Sequence, residues 1–156
     1  MTELTEGDKQ VLHDIDQFGW HVVKIMEDDA GPGVCFSIGL HKTFNHPEIL
    51  IIGLKIDLAH ILINNIGESI KDGKSYDSDS PFDDILDGYN CYMIKVNEQY
   101  YEEYLGYAKW YYNGPFPVLQ CVYPTVNGVY PWQKECTNEY KKMQPILGNS
   151  DKIDGI

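Results

Sequence analysis

The sequence contains no arginine. All 12 basic residues are lysine, against 24 Asp and Glu, and the formal net charge is −12. Nucleic-acid binding relies on a basic surface and on bidentate arginine contacts, so we do not expect a nucleic-acid partner. The missing guanidinium group also argues against forked recognition of phosphates. An acidic surface attracts basic molecules, and a basic protein is therefore the partner that we expect.

Long apolar runs are also missing. No stretch approaches the roughly 18 residues of a membrane span. The N-terminal segment MTELTEGDKQ has neither the basic region nor the apolar core of a secretory signal. We therefore expect a cytoplasmic protein with no membrane contact. A length of 156 residues fits a single domain over 1–156, with a frayed tail over 146–156. The sequence leaves the oligomeric state open.

The four cysteines are too far apart to form a CxxC pair; they are Cys35, Cys91, Cys121 and Cys136. Without an export signal, free thiols are expected rather than disulfides. The first three lie in apolar runs, which favours buried structural cysteines. His41 and His46 are the only Cys or His residues close together, and their spacing is not that of metal ligands. We therefore expect no metal site.

Apolar periodicity predicts an α+β fold. Helices are predicted over 5–18, 57–71, 98–112 and 137–143, with one short helical turn at 82–86. Strands are predicted over 20–26, 33–40, 48–54, 89–96 and 116–123, with a short extended piece over 129–132. Residues 41–48 are predicted as a loop. The pattern indicates a mixed, mainly antiparallel sheet of about five or six strands with three or four helices.

The first candidate site is the polar loop between the strands over 33–40 and 48–54. It contains His41, His46 and Glu48, which are residue types suited to acid–base chemistry. The alternative is a turn held by hydrogen bonds from histidine to the backbone. No phosphate-binding loop and no GxSxG motif accompanies these residues, so the sequence contains no complete catalytic set.

The second candidate site is aromatic. The chain has 12 Tyr and 3 Trp, and several of them cluster around Trp110, Tyr111 and Trp132. Most of these rings are expected to pack in or beside the core with their polar groups reaching water. The functional alternative is a stacking pocket or a protein interface, because Tyr and Trp dominate binding energy at interfaces.

The third candidate site is an acidic stretch that includes Asp83, Asp84 and Asp87. It lacks the central glycine and terminal glutamate of a calcium loop. Two interpretations remain. The stretch is a solvated surface, or it is a docking surface for a basic partner.

Several segments in order resemble one family. They are GW at 19–20, GPGVCFSIGL at 31–40, HPEILIIGL at 46–54, YLGYAKWYY at 104–112, FPVLQCVYP at 116–124 and GVYPW at 128–132. Together they are similar to the bacterial family known as domain of unknown function 4262, over about residues 15–145. The resemblance implies a domain without an assigned activity. The element order is also similar to flavin-reductase-like split barrels, which is an analogy of fold alone.

Two functions follow as hypotheses. The first is a non-catalytic binding protein, of the inhibitor or immunity type, that uses an acidic, Tyr/Trp-rich surface and no cofactor. The second is a split-barrel-type domain, with or without enzymatic activity, that binds a flavin or another planar ligand. Its pocket would lie between residues 39–48 and the aromatic residues near Trp110 and Trp132.

Overall fold

Six strands form one mixed sheet in the computed structural model, which describes residues 3–78 and 80–150. The strands are β1 (His21–Ile25), β2 (Val34–Ile38), β3 (Glu48–Ile52), β4 (Pro81–Leu86), β5 (Tyr89–Lys95) and β6 (Val118–Val122). Their spatial order is β1-β2-β3-β6-β5-β4. Only β3 and β6 run parallel, and the other pairs are antiparallel. The predicted α+β class with a mixed, mainly antiparallel sheet is confirmed. The sheet is not closed into a barrel, so the split-barrel analogy is wrong.

The helices are more numerous than predicted because one predicted helix divides and one predicted loop contains a short helix. They are α1 (Glu6–Phe18), α2 (Leu40–Phe44), α3 (Ile56–Lys71), α4 (Tyr101–Tyr104), α5 (Gly106–Tyr112) and α6 (Asn138–Met143). The single helix predicted over 98–112 is instead a 3₁₀ turn followed by α4 and α5, since buried Leu105 leaves the helical conformation. The predicted loop over 41–48 contains most of α2. None of the helices in the described ranges is long and apolar enough to cross a membrane.

Local sequence signals explain α1. Thr5 and Asp8 form a capping box, in which each side chain accepts a hydrogen bond from the backbone of the other. Gly19 ends the helix at φ 101°, a left-handed conformation that glycine adopts without a steric penalty. Both ends of this helix confirm the prediction.

The central strands are buried on both faces. Every residue of β2, β3 and β6 is buried, and Ile49, Leu50, Ile51 and Ile52 are at most 1% exposed. A run of aliphatic residues without polar alternation is typical of such a strand. The burial predicted for 49–52 is confirmed. All four cysteines are buried too, Cys136 included.

Helices cover both faces of the sheet. The core on one face joins α3 to the sheet through residues such as Ile63, Ile51 and Met93. The core on the other face joins α1, α4 and α5 to the sheet through residues such as Val11 and Phe36. The two edge strands, β1 and β4, are the only strands of the described sheet with one unpaired side.

Three smaller predictions are corrected. The helical turn predicted at 82–86 is strand β4, which pairs with β5. The extended piece predicted at 129–132 is not a strand, and its last two residues lie in a turn. The predicted frayed tail begins too early, because Leu147 is only 1% exposed. Its amide donates to Gln120 Oε1, and its carbonyl oxygen accepts from the Asn97 amide. Residues 151–156 of that tail lie outside the described part of the chain.

Candidate functional site

Glu48 is the centre of a buried hydrogen-bond network. Its side chain is fully buried at the start of β3, next to the end of β2. The Oε1 atom accepts hydrogen bonds from Ser37 Oγ at 2.7 Å and from the Leu40 amide at 3.2 Å. The Oε2 atom accepts from the amides of Gly39 at 3.0 Å and His41 at 3.1 Å. The Tyr112 hydroxyl donates to Oε2 as well.

The network fits an ionised carboxylate. Burial raises the pKa of Glu48 above its usual range, while the bonds from Tyr112, Ser37 and the backbone oppose that shift. All of the partners are donors, so both oxygens are satisfied without a proton. The same burial, together with the negative charge of Glu48, raises the pKa of Tyr112 and keeps its phenol protonated.

Glu48 therefore acts as a helix cap supplied from another part of the chain. The first amides of α2 need acceptors, and its N-cap residue, Gly39, has no side chain to provide one. A negative charge at this end of a helix is also favourable for the helix dipole. With five donors and no exposed surface, Glu48 has no free oxygen for a substrate. The arrangement is structural rather than that of an acid–base catalyst.

His46 is also held by the protein alone. Its Nδ1 lies 2.9 Å from the Pro47 carbonyl oxygen, and its Nε2 accepts a hydrogen bond of 2.9 Å from the Tyr76 amide. These partners require a neutral ring with the proton on Nδ1. Burial lowers the pKa of His46, which favours the same neutral form. His46 fastens the segment around Tyr76 to the start of β3.

His41 faces an open cleft beside Tyr112. The ring lies edge-on to Tyr112, with 5.5 Å between the ring centroids. Together with Lys42, Asn45 and Tyr111, these two residues line a shallow cleft of ≈ 500 Å³. Tyr112 thus separates the cleft from the buried Glu48 network. We name this place the Tyr112 cleft.

The predicted aromatic residues belong to two different groups. Trp110 is 41% exposed and contacts Tyr107 and Tyr111 on α5, beside the Tyr112 cleft. Trp132 instead stacks on Tyr130, with 5.2 Å between centroids and 9° between planes, and meets Tyr92 edge-on. A single pocket containing both tryptophans is not formed by the described residues.

The acidic residues lie on the β4 edge of the sheet. Two extra residues in β4 relative to β5 form a bulge between Phe82 and Leu86. Because of this bulge, Asp83 and Asp84 are both exposed although they are adjacent in a strand. Asp84 pairs with Lys74. Asp83 and Asp87 have no ion-pair partner within the described ranges.

Trp132, Tyr130 and Tyr92, which we name the Trp132 group, are attached to this acidic edge. Leu86 pairs with Tyr89, so the turn at Asp87 leads directly into β5. The Tyr89 hydroxyl donates to the Val126 carbonyl at 2.9 Å. The Tyr130 hydroxyl donates to the Asn90 carbonyl at 2.7 Å. These two bonds hold the loop that carries Trp132 beside the acidic turn.

The Trp132 indole has one notable feature. Its Nε1–H is buried and has no hydrogen-bond acceptor among the residues that the structure describes. An unsatisfied buried donor costs about 1–3 kcal/mol. The Trp132 ring is therefore held by its packing on Tyr130 and Tyr92 rather than by a polar contact.

One polar cleft, which lies along β1, was not predicted from the sequence. Gln10 Nε2 donates a hydrogen bond of 2.8 Å to Asp14 Oδ1. The other Asp14 oxygen, Oδ2, lies 2.7 Å from His21 Nδ1. This pair lines a cleft of ≈ 470 Å³. The opposite wall is a polar stripe of α3 formed by His60, Asn64 and Glu68. The stripe has the spacing i, i+4, i+8, a signal that can be read from sequence. We name this place the β1 cleft.

No group of three or more His, Cys, Asp and Glu side chains that could hold a metal ion occurs in residues 3–78 and 80–150. The β1 cleft contains two histidines and two carboxylates, but they do not converge on one point. The candidate residues are therefore divided among three separate places: the Tyr112 cleft, the acidic β4 edge and the β1 cleft.

Comparison with known proteins identifies the family. Residues 14–137 match the family described as Domain of unknown function (DUF4262). Since this range is most of the 156-residue chain, the protein belongs to that family. The resemblance predicted from the sequence is confirmed. No curated protein and no solved structure matches the chain.

Proposed function

We propose that this protein is a non-catalytic binding protein, of the inhibitor or immunity type, that docks a basic protein partner in the cytoplasm. The docking surface is the acidic β4 edge together with the adjoining Trp132 group. The observation that carries the proposal is the bulge in β4, which exposes Asp83 and Asp84 at a sheet edge. The turn at Asp87 leads from this edge into β5, on which the stacked Trp132–Tyr130 pair packs through Tyr92.

Two physical arguments support this surface. Asp83 and Asp87 have no lysine partner among the described residues, in contrast to Asp84, and such carboxylates attract a basic protein and speed its association. Tyr and Trp supply large contact areas at little entropic cost, and such residues carry most of the binding energy in known interfaces. The net charge of −12 adds a long-range attraction for a basic partner. The structural assignment of Glu48 and His46 removes two of the residues that catalysis would have used.

The competing interpretation is that Asp83, Asp84 and Asp87 only protect an edge strand. Proline, charged residues and bulges at sheet edges prevent unwanted strand pairing, and β4 begins with Pro81. The two interpretations differ in whether a basic molecule is held at this edge more strongly than elsewhere on an acidic surface.

The experiment is a titration with a lysine-rich peptide, followed by amide chemical shifts. Its lysine-acetylated counterpart is the uncharged control. We expect shift changes at residues 83–90 and at the Trp132 indole. The variant D83N/D84N/D87N should lose them. A matched variant, D16N/E27Q/D29N, changes the charge equally at exposed positions near the opposite edge and should keep them. Equal weakening in both variants would contradict the proposal.

The Tyr112 cleft favours a second candidate function, binding of a planar ligand such as a flavin. Three rings border it, those of His41, Tyr111 and Tyr112, and its volume of ≈ 500 Å³ is in the range of ligand sites. Because the chain has no arginine, an uncharged ligand fits better than a phosphorylated one.

Riboflavin is the probe for this second function. Stacking on the tyrosines should quench its fluorescence, and the quenching should be weaker for Tyr111→Ala. A control variant, Tyr89→Ala, lies outside the cleft and should leave the quenching unchanged. Unchanged riboflavin fluorescence in the presence of excess wild-type protein would exclude this function.

A further inference from the structure

We propose that two copies of this chain form a dimer by pairing their β1 strands edge to edge, which joins the two sheets into one. This inference concerns the β1 edge, at the opposite end of the sheet from the surface proposed for a basic partner. Failure of one proposal therefore leaves the other untouched.

The two edges of the sheet are built differently. The β4 edge has Pro81, adjacent aspartates and a bulge, all of which discourage strand pairing. The β1 edge has neither proline nor bulge, and its five residues pair regularly with β2 from His21 to Ile25. In an exposed position such an edge is open to pairing with another strand. A covered edge explains why this strand has neither of these two devices.

The hydrogen-bond pattern shows which backbone groups face outward. The Gly53 amide donates to the Gly33 carbonyl at 2.9 Å, so the backbone of Gly33 faces β3. Backbone groups alternate along a strand, so Val34, Phe36 and Ile38 face β1. Their partners Ile25, Val23 and His21 consequently face β2. The amides and carbonyls of Val22 and Lys24 are left at the open edge.

These outward groups suit an antiparallel pair with a two-fold axis beside Val23. Val22 of one copy then lies opposite Lys24 of the other, and each pair exchanges two backbone hydrogen bonds. Both residues line the β1 cleft, so there is open space at the edge where the second strand would lie. The arrangement is the same on both copies, as a two-fold interface requires.

The side chains around this axis are complementary. Lys24 of the second copy lies opposite Val22, on the face covered by α3. The α3 wall near this position carries Asn64, which binds the Trp20 indole at 3.0 Å, and Glu68 one turn beyond. In the proposed dimer, Lys24 of each copy faces the α3 wall of the other copy and pairs with Glu68, the carboxylate of that wall. This reciprocal ion pair selects a second copy as the occupant of the edge.

Exposed apolar residues surround the same edge. They are Phe18 at 60%, Ile25 at 45%, Met26 at 66% and Ile61 at 56%. Ile61 shares a stripe of α3 with Asn64 and Glu68. Because α3 packs on β1 as well as on strands further into the sheet, pairing of β1 strands about 5 Å apart places the α3 helix of the second copy on the same face of the joined sheet. Ile61 is then covered by the second copy.

Sedimentation velocity over a range of concentrations tests the proposal. We expect a species of twice 17.9 kDa that becomes more populated with concentration. Added salt should favour it, since two copies of charge −12 repel each other at low ionic strength. A single species of monomer mass at all concentrations and salt levels would overturn the proposal.

Exchanging the charges of Lys24 and Glu68 tests whether these two residues meet at the dimer interface. Lys24→Glu alone and Glu68→Lys alone should each raise the dissociation constant about tenfold or more, and the double variant should restore it. Lys24→Pro removes an outward amide without touching β2 and should abolish the dimer. Melting curves establish that each variant is folded. A dimer that survives all of these changes uses another surface, and the β1 proposal is then wrong.

Discussion

The Tyr112 hydroxyl donates a hydrogen bond to the Glu48 carboxylate, 64 residues earlier in the chain. The same phenol oxygen accepts from the amides of Gly39 at 3.2 Å and Lys42 at 3.3 Å. One contact thus connects α5, α2 and the start of β3. Tyr112 also forms the floor of an exposed cleft, so changes at this residue affect both the core and the surface.

Glu48→Gln should destabilise the fold by about 2–4 kcal/mol, because an amide group presents two hydrogens to a ring of donors and loses the negative charge. Urea denaturation measures the change in the free energy of unfolding. Glu27→Gln is the control, since this side chain is exposed and its loss should cost less than about 0.5 kcal/mol. Equal stability of the two variants would mean that the Glu48 network contributes nothing.

Tyr112→Phe should cost about 1–2 kcal/mol of stability, as it removes one donor to Glu48 and one acceptor for two amides. Tyr111→Phe is the matched variant on the neighbouring residue. Its hydroxyl makes no hydrogen bond to the described residues, and the substitution should be nearly neutral. Thermal denaturation of both proteins provides the comparison. A larger loss of stability for Tyr111→Phe than for Tyr112→Phe would contradict the role of the Tyr112 hydroxyl in the Glu48 network.

His46 should make stability depend on pH below its ordinary pKa of 6.5. Burial lowers the folded-state pKa, so the unfolded chain binds the proton more readily. The contribution of His46 is complete above pH 6.5 and is lost as the pH falls through the folded pKa. His60 acts in the same direction and Glu48 in the opposite one. The test is therefore the difference between wild type and His46→Gln, which should shrink from pH 7 to pH 5. A constant difference would contradict it.

Gly67→Ala should destabilise the protein by about 1–3 kcal/mol, because the new methyl group would lie 2.6 Å from the Trp20 ring. Gly106→Ala is the matched control, since a methyl group there has nothing within 4 Å. That variant should be neutral or more stable by up to about 1 kcal/mol. Denaturation curves for both variants measure how closely α3 approaches Trp20. An unchanged free energy of unfolding for Gly67→Ala would show that α3 and Trp20 pack less closely than this.

Local patterns were sufficient for α1 and β3. The Thr5 cap, Gly19 and the apolar run over 49–52 each act within a few residues, so the local sequence alone identifies these elements. Strand β4 was missed for the opposite reason. Its bulge places Asp83 and Asp84 together on the exposed side, and this hides the alternation by which a strand is recognised.

The roles of the candidate residues depend on distant contacts. Glu48 and His46 have residue types suited to catalysis, but their partners Tyr112 and Tyr76 lie far along the chain. The His21–Asp14 pair depends on how α1 packs beside β1. Sequence spacing does not contain such information, whereas the α3 stripe of His60, Asn64 and Glu68 was readable from helical periodicity.

The most direct test of the proposed function is the association rate of the lysine-rich peptide, measured by stopped flow at increasing salt. Wild type and D16N/E27Q/D29N should associate fast at low salt and slow steeply as screening reaches about 8 Å at 0.15 M. D83N/D84N/D87N should associate more slowly at low salt and depend less on salt. Identical rates for all three proteins across the salt range would contradict the account and leave the β4 edge as a solvated surface.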